Sequence, residues 1–185
     1  MPIVSKTSEV KPQPLSPEHV CETANKGKSL KLEPKLHHAR ELMNRGEYQL
    51  ALGVLPAVNS DLEVRNVCAV CFIRLHRFAE AIDLLRTVTL NTQISQVRND
   101  VPDHIRVNFA IALFFGGHPA GGLEALREID REQDPSVVML REQARKWVAS
   151  MSFFRRLDWR INGVVPKVLP MPPNEPVGKC IWDLA

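Results

Sequence analysis

Residues 65–85 read RNVCAVCFIRLHRFAEAIDLL, and the placement of this stretch decides the rest of the chain. Cys68 and Cys71 form a C-x-x-C pair, a spacing used by zinc sites and thiol oxidoreductases. The same letters also fit two helices meeting near His76-Arg77, with Cys68, Ala69, Phe72, Phe78, Ala81 and Leu85 recurring at helical spacing. Chemistry favours the second reading. A structural zinc needs four ligands, and His76 and His104 stand isolated while Cys21 lies in a polar leader. A redox thiol belongs at a helix N-terminus, where the dipole lowers its pKa, and not in mid-helix. Free cysteine otherwise behaves as a small, usually buried hydrophobe, so Cys68 and Cys71 are read as core.

Working outward, the punctuation predicts seven helices. Pro34 opens the first, through Leu36, Ala39, Leu42 and Met43, and Arg45-Gly46 ends it. The second carries Tyr48, Ala51, Leu52, Leu55 and Val58. Ser60-Asp61-Leu62-Glu63 reads as a capping box for the third, which runs to about His76, and the fourth spans Phe78 to about Leu90. After the polar NTQISQVRND (91–100), Asp100 to Asp103 with Pro102 starts a fifth helix, through Phe109, Ala110, Leu113 and Phe114, which Gly116-Gly117 ends. Pro119 opens a sixth, and Asp134-Pro135 caps a seventh that reaches about Met151.

The flanks differ in character. Residues 1–31 are rich in Pro, Ser, Lys and Glu with almost no apolar periodicity, the composition of a disordered leader. Residues 32–151 form the helical domain. Residues 152–185 carry five prolines yet keep Phe153, Phe154, Trp159, Met171 and Trp182, which predicts a mostly irregular Pro-rich tail docked on the helices. Asn162-Gly163 within it signals a small hairpin over 160–165.

Composition sets further bounds. With 185 residues, 44% hydrophobic and 24% charged, the chain suits one soluble core, and a net charge of +3 is too small for a dedicated nucleic-acid or membrane surface. The N-terminus lacks the apolar run of a signal peptide, and four unevenly spaced cysteines suit a reducing compartment, so the expected location is the cytoplasm.

An internal period links the helices. GEYQLALGVL (46–55), HRFAEAIDLL (76–85) and GHPAGGLEAL (117–126) align with Ala51, Ala81 and Gly122 as the small residue, 30 and 41 positions apart. The preceding helices align with Ala39, Ala69 and Ala110 small and Leu42, Phe72 and Leu113 large three residues later. On these motifs residues 32–135 resemble a tetratricopeptide repeat (TPR) protein, whose period is about 34 residues. Arg65 stands where that family has tryptophan, and Gly122 where it has alanine. The resemblance implies an all-α, right-handed α-solenoid of about three TPR-like helix pairs, with the seventh helix as C-terminal cap.

The same resemblance implies a function. TPR proteins receive extended or helical peptides on a concave face lined by each first helix. Carried over by position, that stripe is Leu36, Arg40, Met43 and Asn44, then Asn66, Val70, Ile73 and Arg74, then His104, Val107, Ile111, Phe114 and Phe115. Of these, Arg40, Met43, Asn44, Asn66, Val70, Ile73, Arg74, Ile111 and Phe114 are the candidate partner-binding residues. Leu36 and Val70 fall where a carboxylate clamp would need polar groups, so the implied groove is apolar. An apolar groove of this kind needs a partner or a cover, and the docked tail would supply the cover.

No residue is nominated as catalytic, cofactor-binding or metal-ligating. The histidines lack H-E-x-x-H or triad order, FGGHPAGG lacks a phosphate-loop lysine, and Glu128 and Glu132 alternate with Arg127 and Arg131 as a solvated face does. The expectation is a non-enzymatic module that binds a protein or peptide partner and uses no cofactor. The alternative is an accessory subunit of a larger enzyme or secretion complex. Arg155, Arg156 and Arg160 among aromatic residues also fit stacking on single-stranded RNA, a reading that the small net charge disfavours.

Overall fold

The computed structural model describes residues 34–55, 61–90, 98, 100–129, 133–164, 166 and 168–184. These form an all-α structure of eight helices with no sheet: α1 (Pro34–Asn44), α2 (Tyr48–Val54), α3 (Leu62–Arg74), α4 (Phe78–Thr89), α5 (Asp103–Phe115), α6 (Pro119–Arg127), α7 (Pro135–Ser150) and α8 (Phe153–Asn162). A 3-10 turn, Ile181–Leu184, follows an irregular segment. The expected leader, 1–31, lies outside the described residues.

The helices pack in sequential pairs, α1 on α2, α3 on α4 and α5 on α6, with α2 on α3 and α4 on α5 joining one pair to the next. α3 also touches α5, and α5 touches α7. One turn is used three times. Glu47, Arg77 and His118 each donate their N–H to the carbonyl five residues back, on Leu42, Phe72 and Leu113, at 2.9, 2.8 and 2.9 Å. That bond closes a left-handed C-terminal turn at Gly46, His76 and Gly117, with φ of 77°, 57° and 93°. Glycine adopts this conformation freely, whereas His76 does so at a cost of about 1 kcal/mol. The edge of its ring stands on Phe78, centroids 5.8 Å apart.

Local chemistry sets the boundaries. α3 is capped by Asp61, whose carboxylate accepts from the Leu62 N–H at 2.7 Å. Ser60 of the expected capping box lies outside the described residues, and Glu63 turns instead to His104 on α5, 3.2 Å away. Asp134 caps α7 by accepting from the Ser136 N–H at 2.8 Å.

The C-terminal region departs from expectation. The expected hairpin over 160–165 is absent from its described residues, 160–164: Phe153–Asn162 is a helix, and Gly163, left-handed at φ 65°, ends it by donating its N–H to the Trp159 carbonyl. Asn-Gly serves here as a helix stop because the residues before it continue an i, i+4 apolar spacing through Phe153, Leu157 and Ile161. The tail is therefore irregular only after Gly163. Trp159 fastens α8 to α7 by packing edge-on against Trp147, centroids 5.2 Å apart, and Trp147 in turn meets Phe114 at 5.9 Å.

Candidate functional site

The polar side chains of α3 and α5 converge on one irregular stretch of the chain's own C-terminal segment. Asn66 and Asn108 are fully buried. Asn108 donates from Nδ2 to the Lys179 carbonyl at 2.7 Å and accepts the Lys179 N–H on Oδ1 at 2.9 Å, so one amide satisfies both main-chain groups of one residue. The Asn66 amide adds a second donor to that carbonyl at 3.1 Å, and its oxygen accepts from Asn108 Nδ2 at 2.7 Å. Arg74 donates from Nε to the Val177 carbonyl at 3.3 Å and from Nη2 to the Gly178 carbonyl at 3.1 Å. Burying polar amides costs free energy unless each finds a partner, and here the partners come from the tail.

Side chains of the segment are held too. Lys179 reaches Asp134 at the start of α7, its Nζ at 2.9 Å from both carboxylate oxygens. Burial pushes the Asp134 pKa up, but hydrogen bonds from Lys179 Nζ and the Ser136 N–H outweigh it and hold the carboxyl below its ordinary value. Cys180 is fully buried in the apolar cluster of Leu36, Ala39, Met43, Val67, Val70 and Cys71, and Trp182 packs on the same cluster with the Arg40 guanidinium 6.0 Å from its ring centroid. Asp183 accepts the Cys180 N–H at 2.8 Å, which closes the terminal turn.

A depressed folded-state pKa contributes stability above the unfolded carboxylate value near 3.9, and that contribution is lost as pH falls through the folded value. Thermal melts at pH 7 are expected to place Asp134→Asn below the natural chain, with the gap closing at acid pH below about 4. A gap that stays constant down to pH 2 would show that the Lys179 pair does not stabilise the fold.

The candidate residues fall into three groups. Asn66, Val70, Ile73, Arg74 and Arg40 touch or line the path of the tail: Val70 lies beneath Gly178, and Ile73 borders a cavity of about 170 Å³ shared with Pro172–Val177. Met43 is buried in the cluster that holds Cys180, and Asn44 is exposed. Ile111 and Phe114 are fully buried in the other apolar cluster, with Trp147 of α7 standing on the Phe114 ring. Phe115, also on the implied stripe, is buried as well. Asn108, Gly178, Lys179 and Asp134 were not nominated by sequence. The available signal for Asn108 was an amide inside the otherwise apolar run VNFAIALFF (107–115), which obliges a buried partner.

The cysteines are part of the packing around the groove. Cys68, Cys71 and Cys180 are free and fully buried. Burial pushes the Cys68 thiol up to about 11 and, with Cys68 nearby, Cys71 up to about 12; burial raises Cys180 as well. Few thiolates exist at neutral pH under these conditions, which removes the nucleophile. Among the described residues no group of three or more His, Cys, Asp or Glu is placed to hold a metal ion, and no helix is long and apolar enough to cross a membrane. In a Cys21→Ser protein, a water-soluble thiol reagent is expected to label none of the three until denaturant is added. Rapid labelling of Cys68 or Cys71 in native buffer would overturn the packing account.

Comparison with protein-family models, with curated proteins and with solved structures finds no match for this chain.

Proposed function

We propose that this chain is a non-enzymatic protein–protein interaction module: a right-handed α-solenoid of three TPR-like helix pairs, closed by α7, whose concave face takes up extended polypeptide. The observation that carries the reading is the way α3 and α5 hold Val177 to Lys179. Asn66, Arg74 and Asn108 bond to main-chain groups. Such bonds are made to backbone rather than to side chains, so another polypeptide that follows the same course can make them, and neighbouring side-chain pockets then supply selectivity, as in other modes of peptide capture. The turn repeated at Gly46, His76 and Gly117 supports the repeat architecture.

Site-specific photocrosslinking in the native host tests this. A crosslinker in place of Arg40, beside Trp182, is expected to trap a discrete partner that the same group in place of Asp83, exposed on α4, does not. Identical adducts from both positions, or only the internal adduct to the tail, would reject the reading.

The alternative, an accessory subunit with a permanently covered apolar face, draws on α8. Phe153, Phe154 and Ile161 are 71%, 80% and 70% exposed, and with Leu157 they occupy one side of that helix. Such a patch on a folded chain marks an interaction surface. Phe154→Ser is expected to leave the melting temperature within about 2 °C and to lose co-purifying subunits, since a solvent-facing change has little effect on stability. Retention of the same co-purifying proteins would remove this reading.

A further inference from the structure

The geometry points to a groove with a defined sequence preference and an exchangeable occupant: a partner peptide reading glycine, lysine, a small apolar residue, any residue, then an aromatic displaces Gly178-Lys179-Cys180-Ile181-Trp182. This rests on the groove's being a peptide-binding surface, and it adds what the surface selects.

Each position meets a specific constraint. Gly178 has φ of 94°, where L side chains are strained, and a Cβ there would lie 3.3 Å from Val70 Cγ1 and 3.4 Å from Asn108 Oδ1. The next residue must place a cation on the Asp134 carboxylate, which is only 12% exposed and already fixed by its capping bond to Ser136. An acidic residue at that place would set two carboxylates together. The third side chain enters space enclosed by Val70, Cys71 and their neighbours, which holds a thiol at zero exposure and leaves no room for an aromatic ring. The aromatic ring two positions on takes up the place beneath the Arg40 guanidinium.

Exchange follows from how the tail is attached. Upstream, Trp147 Nε1 donates to the Val168 carbonyl at 2.8 Å, and the clamp on Val177 to Lys179 comes next. Between them, no hydrogen bond among the described residues joins residues 169–176 to the helices. This arm exposes Met171 at 82%, buries Pro170 and half-buries Pro172 and Pro173, and its prolines 170, 172, 173 and 176 lack N–H donors. The clamped residues are therefore a short ligand whose tether is held to the helices by packing and not by hydrogen bonds. Tethering gives the tail an effective concentration on the order of millimolar, so only a peptide matching the same pockets competes.

The buried thiol reports the exchange in the full chain. In the Cys21→Ser protein, a synthetic peptide of residues 174–185 carrying Cys180→Ala is titrated in, and alkylation of each cysteine is followed by peptide mapping. Saturating peptide is expected to speed alkylation of Cys180 at least tenfold while Cys68 and Cys71 stay protected beneath the incoming peptide. The same peptide with Lys179→Glu or Gly178→Val should produce no acceleration. Three results overturn the inference: an unresponsive Cys180 at millimolar peptide, equal effects of the altered peptides, or alkylation of all three cysteines together, which would mean that the helices had opened. Failure here leaves the Arg40 crosslinks intact, whereas exchange without any trapped partner would make the groove a private clasp and reject the broader function.

Discussion

A chain ended at Pro176 is expected to melt about 10–20 °C below the full chain, or to lose its cooperative transition altogether. The segment removed supplies the partners of Asn66, Arg74 and Asn108, the ion pair to Asp134, and the Cys180 and Trp182 side chains that cover the α1–α3 cluster. Hydrogen bonds are worth roughly 0.5–1.5 kcal/mol each net, and covering one large apolar side chain about 1.5–3 kcal/mol. The combined loss, about 5 kcal/mol or more, is comparable to the net stability of an ordinary domain, whose range is about 5–15 kcal/mol. At roughly 2–4 °C per kcal/mol for a chain of this size, the midpoint moves by the amount stated. Differential scanning calorimetry at matched concentration measures it. A midpoint within about 3 °C of the full chain would mean that the tail decorates the helices without stabilising them.

Gly122→Ala is expected to cost about 2–3 kcal/mol, against the propensity gain that replacing glycine in a helix usually brings. A Cβ on Gly122 would stand 2.8 Å from the Phe114 nitrogen, 2.9 Å from the Ala110 carbonyl oxygen and 2.9 Å from Phe114 Cα. All three are backbone atoms of α5, so no side chain can swing aside and α6 itself must move. The move would disturb Phe114, which is fully buried between Phe115 and Trp147. The steric penalty exceeds the gain of about 1 kcal/mol from helix propensity, which decides the sign. Gly53→Ala on α2 supplies the contrast, because nothing lies within 4 Å of the Cβ it would add. That variant should gain up to about 1 kcal/mol, so the same chemical change acts in opposite directions at two helical sites. Chemical denaturation of both variants tests the pair, and a stabilised Gly122→Ala would contradict the close approach of α5 and α6.

Gly122 also shows how much the sequence could say. The alignment put it at the position of Ala51 and Ala81 and marked it as the smallest member of the set; the distance between α5 and α6 supplied the reason. Helix boundaries were legible wherever a single residue decides them, as at Pro34, Gly46, Asp134 and Gly116. They failed at Asn162-Gly163, because the same dipeptide ends a helix or turns a hairpin and only the apolar spacing before it separates the two. The groove was legible in part for a related reason. Position within a repeat selected Asn66, Val70 and Arg74, which do meet the tail, and also selected Ile111 and Phe114, which are buried in the other apolar cluster, Phe114 beneath Trp147 of α7. Repeat position says which side of a helix a residue occupies and nothing about what the following helices lay over it. Asn108 was passed over because its place in the alignment falls one residue beyond that of Asn66, although in three dimensions the two amides touch.

The bond from Asn108 to Lys179 joins residues 71 apart, and that from Asn66 to Lys179 joins residues 113 apart. During synthesis α1 to α6 leave the ribosome before the segment that completes them has been made. At about 5–20 residues per second, a wait of roughly 4–14 s separates Asn108 from Lys179. For that interval the nascent chain has two amides and an apolar trough without their final cover. The last contacts to form are thus the ones that satisfy the buried amides, and the fold is completed only when the end of the chain has been made.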